Sequence, residues 1–395
     1  MTDHFKPPYC LVPFGQLSSK PDGRLRPCCA SGDNLILKEK SFLEAWRSQE
    51  MNNLRKTFLK GESVPACEKC IEDELLGKKS TREWKNESWS DITKQNVTLA
   101  QENNGKIKDG LPVSLELRLG NLCNLSCRMC NPLYSSRFQK DLESDEKWMK
   151  SPLLRTLYES PLKDSKKLGN WYQQEEFWQE LSEMSANLRS LYFSGGEPLL
   201  IEEMKILLKH LVKSGQAKRV KVRFDTNLMQ VPKETFALLK EFKEVAIGVS
   251  LDAIGDLLES VRYGSSWELI KKNLFQVRDM GAPFKLSISA LASSMNVHEL
   301  DKLYGFIKTE LGENTLIVLD FLNEPKTLSA KSLGPKEKKV AYEKINIIKT
   351  NYSEILSPYE LTGIHSLERL LSQESEVSRE DYEEHAAFLD QMHSS

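Results

Sequence analysis

The sequence predicts an α/β protein, a partial (β/α)6 barrel preceded by a small N-terminal hairpin-helix domain. Three observations carry that prediction. Strand-like apolar runs alternate with helical patterns between residues 111 and 325, which is the mark of a parallel sheet. The first strand runs into a loop holding Cys123, Cys127 and Cys130 in CxxxCxxC spacing. Four more cysteines, Cys10, Cys28, Cys67 and Cys70, lie in the first 80 residues around a turn signal and a helix signal.

The chain has 395 residues, more than one hydrophobic core usually organises. Residues 1–80 read as a cysteine-bearing domain, 81–110 as a linker, 111–325 as the barrel with a long insertion or lid at 131–187, and 326–395 as a helical extension. The 55 basic and 57 acidic residues nearly balance, for a net charge of -2, so nothing global suggests a nucleic-acid partner. No apolar run approaches the roughly eighteen residues that span a bilayer, so no membrane partner is expected. The opening MTDHFKPPYC lacks the basic and apolar regions of a signal peptide. The expected location is cytoplasmic, where eight cysteines argue for metal or cluster ligation over disulfides.

In the N-terminal domain, Pro21-Asp22-Gly23 predicts a hairpin turn. Ser41 and Glu44 make a capping-box start, and Leu43, Trp46, Leu54 and Phe58 continue as a helical stripe up to Gly61. Such elements can gather Cys10, Cys28, Cys67 and Cys70 into a fully ligated iron–sulfur cluster or a structural zinc site. Cys29 is left spare, since two adjacent side chains do not point at one metal. Residues 78–110 are polar, and Trp84 and Trp89 read as rings pinning a linker to the barrel.

Barrel strands are predicted at 114–119, 188–194, 220–225, 245–251, 284–291 and 315–321, and helices at 199–214, 233–243, 265–280 and 297–311. Three thiolates on one short loop can ligate three irons of a cubane and leave the fourth open to a small molecule. Zinc would want a fourth ligand, and no further Cys or His follows nearby. The strand ends then supply Ser194-Gly195-Gly196-Glu197-Pro198, Asp225-Thr226-Asn227, Ser250-Leu251-Asp252 followed by Arg262, and finally Ser289 and Asn296. Paired glycines allow close backbone approach, and an arginine fork suits a carboxylate. Trp148, Trp171, Tyr172, Phe177 and Trp178 in the 131–187 stretch read as packing for extra helices, or as a lid. Pro335 opens a helix in the extension, and the acidic last stretch reads as a partly ordered surface helix with no visible chemistry.

The CxxxCxxC loop and the strand-end motifs together resemble the signature of the radical S-adenosylmethionine (radical SAM) enzymes. That resemblance implies a [4Fe-4S] cluster on Cys123, Cys127 and Cys130 whose open iron chelates SAM. It implies one-electron cleavage of SAM to methionine and a 5'-deoxyadenosyl radical, which removes hydrogen from a peptide or small-molecule substrate. It also implies SAM contacts from Gly195, Gly196, Glu197 and Pro198 at the amino group, Asn227 near the ribose, Ser250 and Arg262 near the carboxylate or ribose, and Ser289 at the ribose. Met129 stands where the family often packs an aromatic on adenine, and Leu228 where glycine is commoner. Residues 1–80 are similar to Twitch, the shortened form of the SPASM domain, through Cys10, Gly23, the RLRP before Cys28, and the closing Cys67-Glu68-Lys69-Cys70. This implies a second, auxiliary cluster of [4Fe-4S] type, here placed before the barrel rather than after it. A flavodoxin or ferredoxin is the implied electron donor, and net oxidation or peptide modification the implied chemistry. Two alternatives stay open: a redox-neutral radical epimerase with Cys29 as hydrogen donor, and a non-enzymatic iron–sulfur or zinc scaffold.

Overall fold

The computed structural model describes residues 9–32 and 35–394. Residues 1–8, part of the stretch read for a signal peptide, lie outside the described residues. Its strands are β1 (Gln16–Ser19), β2 (Leu25–Arg26), β3 (Ser114–Leu117), β4 (Ser126–Cys127), β5 (Ser190–Phe193), β6 (Lys221–Thr226), β7 (Glu244–Ser250), β8 (Arg262–Tyr263), β9 (Phe284–Ala292) and β10 (Leu316–Phe321). Side chains alternate between faces along a strand. Leu115, Leu117, Leu191, Phe193, Val222, Phe224, Val245, Ile247, Val249, Ile288 and Ile317 therefore share one face and are buried in the main core. The opposite face carries Glu116, Tyr192, Arg223, Asp225, Gly248, Ser250, Ser287 and Ser289.

The six predicted barrel strands pair in parallel, in the order β10-β9-β7-β6-β5-β3. Helices Glu202–Lys213, Lys233–Leu239, Trp267–Arg278 and Leu300–Phe306 connect them on the outer side. The sheet does not stop at β3. Strand β1 adds to it in parallel, with Gln16 opposite Ser114, and β2 closes the N-terminal hairpin antiparallel to β1. The hairpin turn forms as expected, with Gly23 at φ +83°. Its ring partner comes from the insertion, where Trp171 donates its Nε1–H to the Pro21 carbonyl at 3.0 Å.

Three segments differ from the sequence reading. The predicted helix from Ser41 breaks at Ser48, whose hydroxyl accepts from the Met51 N–H and starts a second helix, Gln49–Leu59. The supposed linker is mostly one 22-residue helix, Thr81–Glu102, opened by a full Ser80–Glu83 capping box. Its inner stripe is Trp89, Thr93, Asn96, Val97 and Ala100, all buried. The polar Thr and Asn in that stripe hide the helical period from a hydrophobicity count. Helix Arg379–Ser394 is not a surface helix: His385, Phe388, Leu389 and Met392 are buried along one side. Phe388, Leu389 and Met392 form a second core with Phe138, Leu142, Trp148 and Tyr158 of the insertion, and Met129 and Cys130 pack against it. No helix among the described residues is long and apolar enough to cross a membrane.

Candidate active site

The cysteine loop is shaped by its neighbours rather than by its own regular structure. Gly120 turns the chain out of β3 at φ +78°. Asn121 then anchors the loop, its side-chain amide donating to the Pro132 carbonyl at 2.9 Å. Ser136 accepts from the Cys123 N–H at 3.1 Å, and Ser135 donates to the Leu125 carbonyl at 2.6 Å. Strands β4 and β8 pair antiparallel, which sets Cys127 opposite Arg262. The Cys130 N–H bonds back to the Cys127 carbonyl at 2.9 Å. Burial pushes the Cys127 thiol up to about 12, against the pull of Arg262, and raises Cys123 and Cys130 as well. Thiols so placed become thiolates only when a metal ion compensates them.

The glycine motif after β5 packs on this loop. A Cβ on Gly196 would come within 2.4 Å of the Leu122 carbonyl, and one on Gly195 within 3.1 Å of the Arg118 side chain. The close approach that these glycines permit is thus to the chain itself. Glu197 donates its N–H to the Leu122 carbonyl at 2.8 Å. Its buried carboxylate accepts from Leu199 N–H, Thr226 Oγ1 and Asn227 N–H at 3.1, 2.8 and 2.7 Å. Burial lifts that carboxyl to about 7, and the three donors pull it back. Asn227 closes the ring by donating to Asn124 Oδ1 at 2.8 Å. Leu228, in the position where glycine is commoner, adopts φ +55° and is fully buried.

Beyond the loop, Arg262 is held by buried Asp252 at 2.8 Å, with its Nη1 3.9 Å from Cys127 Sγ. Ser250 and Ser289 sit side by side in register on β7 and β9, both half-buried. Asn296 is fully buried, accepts from Ser293 N–H, and donates to the Asp252 and Leu291 carbonyls at 2.8 and 2.9 Å. It clamps two strand ends, and both of its side-chain N–H groups are used in doing so. Met129 is half-buried beneath the C-terminal helix.

Cys10, Cys28, Cys67 and Cys70 line one small cavity with Val12, Pro13, Leu54, Phe58 and Arg82. Cys29 lies outside that cavity, and its thiol is pushed up by a hydrogen bond with Cys28, by burial and by nearby Glu116. Sequence reasoning missed the inward row of the barrel. Tyr192 donates to Asp225, the Arg223 guanidinium stands 5.0 Å over the Tyr192 ring, and Glu116 pairs with Arg118 at 2.8 Å. The signal was present in the period-two alternation of each strand, which sends these residues opposite the apolar ones.

Among the described residues, no three His, Cys, Asp or Glu side chains converge tightly enough to share a single metal ion. A cubane asks for less, because each thiolate takes a different iron, and both sulfur-only donor sets fit that chemistry. Residues 117–307 match the radical SAM superfamily, and residues 10–71 match SPASM, an iron–sulfur cluster-binding domain.

The chain carries a radical SAM domain at residues 117–307.

It carries its SPASM domain ahead of the barrel. Its cofactors are accordingly a [4Fe-4S] cluster, SAM and an auxiliary iron–sulfur cluster. No curated protein matches the chain. Among solved structures, it is similar to Streptococcus suis SuiB bound to S-adenosylmethionine, at 17% identity and TM-score 0.36, covering 66% of this chain and 51% of that one. Native anSMEcpe with bound AdoMet gives 17%, TM-score 0.37, and 62% of each chain. S. suis SuiB bound to precursor peptide SuiA gives 13%, TM-score 0.37, 78% of this chain and 64% of that one. The chain spans less than two thirds of the length of each of these.

Proposed function

We propose that Cys123, Cys127 and Cys130 hold the catalytic cluster, and that Gly195 to Pro198, Asn227, Ser250, Arg262, Ser289 and Met129 seat SAM. Cys10, Cys28, Cys67 and Cys70 hold the auxiliary cluster on this reading. The observation that carries it is convergence on one loop: Glu197 binds the Leu122 carbonyl, Asn227 binds Asn124, and Arg262 faces Cys127. When bound, the catalytic cluster supplies the electron that splits SAM into methionine and a 5'-deoxyadenosyl radical, which takes a hydrogen atom from the substrate. Arg262, held in place by Asp252, offers its guanidinium to the SAM carboxylate. Glu197 spends its carboxylate on locking two strand-end loops, so the motif acts on SAM through its backbone.

The substrate is a polar molecule or peptide that meets the inward row of Tyr192, Arg223 and Asp225. A groove of about 750 Å³ between the helix Glu68–Leu75, the 323–332 loop and residues 370–377 is large enough for a polypeptide segment. Net oxidation would remove one hydrogen atom, one electron and one proton from the substrate, and Cys10, Cys28, Cys67 and Cys70 would hold the group that accepts the electron. The cellular setting is cytoplasmic, with a flavodoxin or ferredoxin as electron donor.

The test is anaerobic reconstitution followed by incubation with SAM and dithionite. Wild type is expected to hold about eight irons and release 5'-deoxyadenosine. The Cys123→Ala, Cys127→Ala, Cys130→Ala triple variant is expected to hold about four and release none. A fully loaded wild type that forms no deoxyadenosine removes the reading. Redox-neutral epimerisation is the second reading, supported by the placement of Cys29 beside Glu116 and outside the four-cysteine cavity. There Cys29 would give its S–H hydrogen to the substrate radical and be left as a thiyl, which one electron from the reductant and one proton return to the thiol, and a Cys29→Ala variant that still makes deoxyadenosine should yield a product of altered stereochemistry.

A further inference from the structure

Arg82 is the second residue of the helix Thr81–Glu102 and is 8% exposed. Its guanidinium is gripped from one side by Glu74, which accepts from Nε at 3.1 Å and pairs with Nη2. Glu74 is itself fixed by the Ser80 hydroxyl at 2.5 Å. The remaining nitrogen, Nη1, is buried and has no hydrogen-bond partner among the described residues. Arg82 also lines the cavity formed by Cys10, Cys28, Cys67 and Cys70, and among the described residues it is the one charged side chain there; the other described lining residues are apolar apart from Ser31. A buried guanidinium N–H without a partner is costly, and such groups are kept when a ligand supplies the acceptor. The acceptors that would fill this cavity are sulfurs.

We propose that Arg82 is the hydrogen-bond donor and counter-cation of the auxiliary cluster and raises its reduction potential. This rests on the assignment of the four cysteines as cluster ligands. The charge argument is direct. Adding one electron makes a thiolate-ligated cluster more negative by one charge, so a fixed positive donor favours the reduced form. The effect is strengthened by the apolar lining from Val12, Pro13, Leu54 and Phe58, where screening is weak. Glu74 neutralises part of the cation, but its grip also keeps the free N–H aimed inward. An arginine suits the task because it stays charged whatever the local pH and has donors to spare after binding a carboxylate.

The experiment is an EPR-monitored redox titration of the reconstituted full chain, with iron and sulfide measured on the same samples. The auxiliary signal is separated from the catalytic one by its lack of response to added SAM. Arg82→Gln is expected to keep both clusters and to move the auxiliary midpoint to a more negative potential. Glu74→Gln leaves the guanidinium uncompensated and is expected to move it positive. Opposite shifts in the two variants establish the role, whereas an unchanged midpoint in a fully loaded Arg82→Gln protein overturns it. Should Arg82→Gln fail to assemble its cluster, Glu74→Gln decides: a positive shift supports the proposal and no shift refutes it. A wild-type protein whose N-terminal cysteines bind zinc and give no second EPR signal refutes the cluster assignment itself, a result distinct from an unmoved midpoint.

Discussion

Single residues at the site divide into those that could touch a ligand and those that hold them. Asp252 belongs to the second kind, because its carboxylate is fully buried and aims Arg262 across the loop at Cys127. Asp252→Asn leaves a buried guanidinium with half its partner, at a cost of about 3 kcal/mol. The expected result is a lower melting temperature, iron content near wild type, and at least a tenfold loss of SAM affinity by equilibrium dialysis, about 1.4 kcal/mol. His385 makes a different prediction. It is fully buried between the Tyr158 hydroxyl at 2.5 Å and the Thr327 hydroxyl at 2.6 Å, and burial pushes its pKa down to about 4. The unfolded imidazole gains a proton near pH 6.5 while the folded one refuses it until about 4, so the unfolded state binds more protons in that window. Stability is present in full above pH 6.5 and falls on acidification toward 4, by about 3 kcal/mol. Melting temperatures between pH 7 and 4.5 should show that slope, and His385→Asn should flatten it. The candidate ligand residues could be proposed from sequence because that chemistry depends on residue type and spacing. The roles of the holders could not, since Asn296 clamps the Asp252 carbonyl from 44 positions away and the Asp252 carboxylate also accepts from the Leu291 N–H 39 positions on.

At the level of elements, the barrel strands and their helices stood out because apolar alternation is what a sheet with one packed face requires. Elements that pack through mixed or polar residues did not. The stripe of helix Thr81–Glu102 runs through Thr93 and Asn96, and the Asn96 amide is buried because it donates to the Phe14 and Leu111 carbonyls at 2.9 Å. Helix Arg379–Ser394 did carry a readable i, i+3, i+4, i+7 stripe in His385, Phe388, Leu389 and Met392, concealed by the many charges around it. This helix also ion-pairs Asp390 with Arg128 and stacks His393 on Tyr263 at 4.1 Å, next to Cys127 and Arg262. It therefore covers the cysteine loop. A chain ending at residue 378 is expected to take up iron but lose its cluster faster in air than wild type. The decay of cluster absorbance after exposure to oxygen measures this, and equal decay rates would show that the helix gives no protection.

For the molecule as a whole, the decisive feature is that one hydrophobic core extends from Tyr9 to Leu371, through the N-terminal hairpin, the barrel and the extension. The partition at residue 80 followed from length and cysteine spacing, and sequence gave no warning of the shared sheet because Gln16–Ser19 reads as polar. Those four residues are all buried. A chain beginning at residue 81 would expose the β3 edge and the apolar surface that Phe14, Leu17 and Trp46 now cover. Such a truncation is expected to be insoluble, and heating the full protein should give one unfolding transition by calorimetry rather than two. Strand β1 also fixes something else. Cys10 and Cys28 flank the hairpin that contains it, while Cys123 follows β3, its hydrogen-bonded neighbour. Hydrogen-bonded backbone of a single sheet thus ties the hairpin between Cys10 and Cys28 to the strand that leads into Cys123. An electron tunnelling between the two cysteine groups would cross a gap of constant width, at a rate that thickening the solvent leaves unchanged.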